Sequence, residues 1–137
     1  MRAMIRSLVL TASLLISAPA LAQEGGGARE LSSRPGAAVV LRGLDKVTAR
    51  TRDFVAPVGE TVQFGALSIT AQYCRKRPPE EPPEVFAFLQ INDRRTDGFG
   101  AEDDGEQIFS GWMFASSPGL NALEHPVYDV WVIDCRS

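Results

Sequence analysis

An all-β fold, a small single-domain antiparallel β-sandwich or partly open barrel stapled by one disulfide, is predicted by three features of the sequence. Seven short runs of β-type pattern follow one another from Ala37 onward. Turn-forming residues separate them about every ten positions, and a cysteine closes two of the runs. A long crossover helix has no room between any of them, which argues against a parallel α/β arrangement.

Two segments of different character precede those runs. Arg2 and Arg6 form a positive head, Ser7 to Ser17 is apolar but too short to span a bilayer as a helix, and Pro19-Ala20-Leu21-Ala22 offers a small-x-small cleavage pattern. Residues 1–22 therefore read as a secretory signal peptide cut after Ala22. Residues 23–36 (QEGGGARELSSRPG) are polar, glycine-rich and aperiodic, and read as a disordered leader. The folded domain is expected from Ala37 to Ser137.

Ala37 to Arg42 is an apolar run ended by Gly43. Lys46 to Val55 alternates, with Val47, Ala49 and Thr51 opposed to Lys46, Arg50 and Arg52. Pro57-Val58-Gly59-Glu60 is turn chemistry, because Pro presets φ and Gly permits positive φ. Thr61 to Phe64 and Leu67 to Cys74 follow, with Gly65 between them marking a bulge or sharp bend. Strict alternation over Leu67 to Cys74 puts Leu67, Ile69, Ala71 and Tyr73 on one face and Ser68, Thr70, Gln72 and Cys74 on the other. Arg75 to Pro83 (RKRPPEEPP) is a stiff extended connection, since four prolines remove the donors a paired strand needs. Glu84 to Asn92 has apolar residues on both faces, as a central strand does. An acidic, glycine-rich loop spans 93–107. Ile108 to Ala115 is a strand, Leu120 to Glu124 offers one short helical turn, and Val127 to Cys135 is the last strand.

Charge and cysteine count narrow the function classes. The chain carries 14 basic and 17 acidic side chains; without Arg2 and Arg6 twelve basic remain against seventeen acidic, a net of −5. That balance argues against nucleic acid as a partner. No later stretch is long and apolar enough for membrane insertion, so the mature form is expected to be soluble. In an oxidising compartment Cys74 and Cys135 can pair in only one way, closing a loop of about 60 residues.

Val40 to Arg50, Phe54 to Phe64, Cys74 to Phe88 and, most specifically, Phe109 to Cys135 (FSGWMFASSPGLNALEHPVYDVWVIDC) resemble a family of exported bacterial proteins known as domain of unknown function 2155. The resemblance covers essentially the whole mature domain. It implies a periplasmic, disulfide-bearing domain and brings no activity with it.

Each residue with chemical potential also has a plain structural role open to it. His125 is the sole histidine. With Ser110, Ser116 or Ser117 as nucleophile and Asp129 as orienter it could build a triad, but none of these serines sits in a nucleophile motif. A histidine that bonds a neighbouring turn is the favoured reading. One histidine and two paired cysteines cannot furnish a zinc site. The carboxylates Asp93, Asp97, Glu102, Asp103, Asp104 and Glu106 leave calcium open, although their spacing matches no EF-hand. No metal or other cofactor is expected. Glu80-Glu81 with the later carboxylates signals glycoside hydrolysis only weakly. Trp112, Trp131, Tyr128, Phe109 and Phe114 are expected in the core; if exposed on a sheet face, such rings would make a stacking platform for sugars. Arg75 to Pro83 reads first as a rigid crossover and second as a docking strip.

The sequence therefore points to a non-enzymatic periplasmic domain that binds another envelope protein or a cell-wall or glycan ligand. Its candidate contacts are Arg75, Lys76, Arg77, Glu80, Glu81, Trp112 and His125. The alternative is a wall or glycan hydrolase using His125, Asp129 and Ser116 or a carboxylate pair.

Overall fold

A computed structural model describes residues 33–94 and 105–137. The expected signal peptide, residues 23–32 of the leader, and Asp97, Glu102, Asp103 and Asp104 of the acidic loop lie outside them. Among the described residues there are eight strands: β1 (Arg34–Pro35), β2 (Ala38–Asp45), β3 (Arg50–Pro57), β4 (Thr61–Phe64), β5 (Leu67–Lys76), β6 (Val85–Asp93), β7 (Glu106–Phe114) and β8 (Tyr128–Arg136). They form two antiparallel sheets that do not close into a barrel. One runs β1-β5-β6-β7 with β4 also paired to β5, and the other runs β3-β2-β8.

Four local expectations are corrected. Arg34 and Pro35, assigned to the leader, pair with Lys76 and Arg75 at the edge of the larger sheet, and the Gly36 N–H donates to the Cys74 carbonyl at 2.8 Å. An edge is where a strand tolerates proline. Gly43 does not end β2; a Cβ there would stand 2.4 Å from Cζ of Phe64, so the glycine makes room for that ring. The alternating run from Lys46 begins as a turn, in which Asp45 Oδ1 accepts from the N–H groups of Val47 at 2.9 Å and Thr48 at 3.1 Å and Ala49 takes φ 55°. A short acidic side chain that captures nearby backbone donors overrides alternation. Finally, residues 117–120 form a turn closed by Leu120 N–H to the Ser117 carbonyl at 3.0 Å, and no helix lies among the described residues. Pro118 and Gly119 hold the two central positions, which suit such a turn better than a helix.

The core lies between the sheets. Val39 and Leu41 of β2, Leu67, Ile69 and Ala71 of β5, and Ala87, Leu89 and Ile91 of β6 are fully buried. Each large aliphatic among them stabilises the fold by about 1.5–3 kcal/mol. Strand β6 is central to its sheet, flanked by β5 and β7. Its even partition, with Val85, Ala87, Leu89 and Ile91 inward and Phe86 and Phe88 half-buried on the far side, matches the expectation of apolar residues on both faces.

Of three irregularities in the strand pairing, two decide which way the cysteines face. Pairing of β5 with β6 skips Gln72, so Ala71 faces Leu89 while Tyr73 faces Phe88. Pairing of β2 with β8 skips Ile133 in the same way, between Val132 and Asp134. Each extra residue reverses inward and outward for the rest of its strand. The reversal turns Cys74 and Cys135 inward, 2% and 7% exposed, and turns Tyr73 outward, against the strict alternation expected for this strand. The two cysteines are disulfide-bonded with Cα atoms 5.9 Å apart, linking β5 of one sheet to β8 of the other.

Candidate functional site

The outer face of the larger sheet carries a group of rings that the core does not use. Register across β5, β6 and β7 sets them in rows. Tyr73, Phe88 and Trp112 lie directly opposite one another, and Arg75, Phe86 and Phe114 form the next row. On the other side stands a polar row of Thr70, Gln90 and Ser110, with the Gln72 amide donating to Gln90 at 2.9 Å. The Tyr73 and Trp112 rings lean towards each other across Phe88, centroids 6.2 Å apart and planes 24° from parallel. Phe88 and Phe86 meet Trp112 at 76° and 60°, with ring centroids 5.4 and 5.8 Å from its own. Phe86 also contacts Phe114 at 6.1 Å. Asn121 Nδ2 donates to the Trp112 carbonyl at 2.9 Å and fixes the edge of β7.

Tyr73 is 62% and Trp112 38% exposed. Two exposed rings side by side leave apolar surface in contact with water on this face. This corrects the expectation that the aromatics of the last two strands fill the core. Phe109 and Tyr128 do pack against it. Trp112 and Phe114 lie on the outer face instead, and Trp131, opposite Arg42, is half-buried on the outside of the smaller sheet.

Arg75 sits at the rim of the aromatic face. Its Nε donates to Ser33 Oγ at 2.7 Å and its Nη2 to the Ser33 carbonyl at 2.8 Å. Both acceptors are uncharged, and no carboxylate among the described residues pairs with it.

The other sequence candidates lie elsewhere. Lys76 pairs with Asp134 at 2.7 Å; this bond and the Cys135 N–H hold the Asp134 carboxyl below its usual range against an opposing effect of burial. Lys76, Arg77 and Glu81 line a cavity of about 560 Å³ at the disulfide end of the sandwich, together with Arg34, Pro78 and Pro83. Glu80 is exposed in the turn that Glu81 N–H closes onto the Pro78 carbonyl at 3.1 Å. Glu84, at the end of the same connection, accepts from the hydroxyl and N–H of Ser116 and from the Val85 N–H. Burial pushes its carboxyl up, but these bonds and nearby Arg77 outweigh that and bring it below the usual range.

His125 is buried at the corner before β8. Its Nδ1 accepts from the N–H groups of Val127 at 3.1 Å and Tyr128 at 3.0 Å, so the ring proton resides on Nε2, 2.9 Å from Asp93 Oδ2. The ring stacks on Tyr128 at 5.3 Å. The triad candidates bond other groups: Asp129 pairs with Lys46, and Ser116 bonds Glu84. The histidine fixes a corner, which is the structural role favoured for it. Among the described residues no group of three or more His, Cys, Asp or Glu is arranged to hold a metal ion.

The structure thus brings Arg75 and Trp112 to one face, gathers Lys76, Arg77 and Glu81 at one cavity, and leaves Glu80 and His125 in neither place. Sequence reasoning missed Tyr73, Phe86 and Phe88 as parts of the face. The two phenylalanines were visible as the second apolar side of β6, whereas Tyr73 was hidden by the bulge.

A family model described as "Uncharacterized protein conserved in bacteria (DUF2155)" matches residues 39–135. The chain is 29% identical over 92 residues to the uncharacterized protein RP359 of Rickettsia prowazekii (strain Madrid E), an alignment covering 67% of this chain and 56% of that protein. It therefore spans little more than half the length of that curated relative. No solved structure matches.

Proposed function

We propose, from the premise that this chain belongs to the bacterial DUF2155 family, that it is a non-enzymatic periplasmic domain whose outer aromatic face binds a cell-wall glycan. One observation carries the reading: Tyr73 and Trp112 are exposed, nearly parallel and braced by Phe86 and Phe88. A braced ring loses little freedom on binding, and the C–H-lined face of a sugar gains dispersion and electrostatic attraction against it. The adjoining row of Thr70, Gln90 and Ser110 supplies neutral hydrogen-bonding groups suited to sugar hydroxyls. Compartment and partner rest on the signal-peptide pattern of residues 1–22 and on the oxidising space that a cysteine pair implies.

Co-sedimentation of the purified protein with isolated cell-wall glycan tests the proposal. Wild type should pellet with it, and Trp112→Ala and Tyr73→Ala should each weaken binding about tenfold. Binding unaffected by either substitution, or absent in wild type, overturns the proposal.

A second reading, docking of an extended peptide from another envelope protein, is favoured by the cavity beside the proline connection. It requires that Arg77→Ala with Glu81→Ala abolish capture of a defined partner while Trp112→Ala leaves that capture intact.

A further inference from the structure

Resting on that reading, we infer that the glycan is acidic and that Arg75 receives its carboxylate. Arg75 is the next outward position on β5 after Tyr73, about 7 Å along the strand, and it lies opposite Phe86 in the aromatic face. Its Nε and Nη2 bonds to Ser33 occupy one edge of the guanidinium and fix the plane of the group. The end-on edge, an N–H each from Nη1 and Nη2, makes no bond to a described residue and matches a carboxylate bidentately. Of the basic residues that follow Arg75 in the chain, Lys76 pairs with Asp134 and Arg77 lies beside Glu84. In an acidic chain, an arginine that among the described residues bonds only neutral acceptors, and that is set beside exposed rings, is complementary to a ligand with an apolar face and a negative charge. A sugar stacked on Tyr73 and Trp112 would bring a carboxylate on the same or the adjoining unit to Arg75. This chemistry separates a carboxylate-bearing amino-sugar strand from its neutral counterpart.

The test compares two probes of matched length that share an amino-sugar backbone: peptide-free cell-wall glycan strands, whose lactyl groups carry carboxylates, and chitin oligosaccharides, which carry none. Calorimetric titration should give about tenfold tighter binding of the acidic strand, with the difference shrinking as salt is raised. Arg75→Gln should erase that preference, bringing the affinity for the acidic strand down about tenfold to that of the same variant for chitin oligosaccharides. Arg75→Lys should retain part of the preference, and it serves as a check that loss in the glutamine variant is not a loosening of β1. Equal affinity of wild type for both probes, or Arg75→Gln without effect on the preference, overturns the assignment of Arg75 and leaves the aromatic face standing. Failure of wild type to bind either probe overturns both.

Discussion

Reducing the Cys74–Cys135 bond is the perturbation whose size the structure fixes most directly. The linked residues are 61 positions apart and join opposite sheets, so the bond shortens the unfolded ensemble without being needed to define either sheet. In the chain-entropy model a closed loop of that length contributes about 4 kcal/mol at 25 °C. Domains of this size have total stabilities of roughly 5–15 kcal/mol, so the bond accounts for a large share. Reduction, unlike substitution, keeps every heavy atom in place and opens no cavity at two buried positions. Urea unfolding of the same preparation with and without reductant should show a loss of about 4 kcal/mol, with a larger denaturant slope for the reduced chain because its unfolded state is more open. A loss under about 1 kcal/mol would refute the reasoning. It would mean that the unfolded chain already holds β5 and β8 close together, or that linking them strains the fold by as much as it saves in entropy.

The buried pair of His125 and Asp93 should matter to stability and not to chemistry. His125→Ala leaves a buried carboxylate without this partner and strips the acceptor from two backbone N–H groups, so chemical denaturation should report a loss of about 3 kcal/mol; a loss below about 1 kcal/mol would contradict that role. Glu84 gives a pH test. Its carboxyl is more acidic in the folded protein than its ordinary value of 4.5, so its contribution is present above that value and disappears as pH falls through and below it. Stability measured from about pH 6 down to about pH 3 should fall less steeply in Glu84→Gln than in wild type, and equal slopes would exclude the bonds to Ser116 as a source of stability. Leu89→Ala, at a fully buried site of β6, should cost about 3 kcal/mol, whereas Tyr73→Ala should cost under about 1 kcal/mol because most of the ring is already in water. Similar costs at the two sites would mean that the outer face is a second core.

How much of the fold was legible in the sequence depended on how local each signal was. Apolar alternation in Val85 to Ile91 depends only on neighbours along the chain, and β6 has the expected two-faced character. The Pro57-to-Glu60 turn and the prolines after Lys76 act through backbone geometry that no distant contact can easily reverse. Asp45 shows the limit of that locality: a single side-chain oxygen captures two backbone N–H groups and converts alternating residues into a turn. His125 shows another. Its bonds within the corner reach two and three residues ahead, yet its partner Asp93 comes from the end of β6, thirty-two positions back.

Composition and periodicity alone carried the all-β class, the order of β2 to β8 and the pairing available to two cysteines, because those depend on backbone preferences and simple counting. Tertiary pairing alone decided which rings face water. Gln72 and Ile133 look like any other strand residue, and only when β6 and β2 fail to supply opposite partners does each become an extra position that reverses the strand beyond it. The same reversal sends the cysteines into the core and Tyr73 out beside Trp112, since a side chain's face is set by its register with a neighbouring strand and not by its own place in the chain.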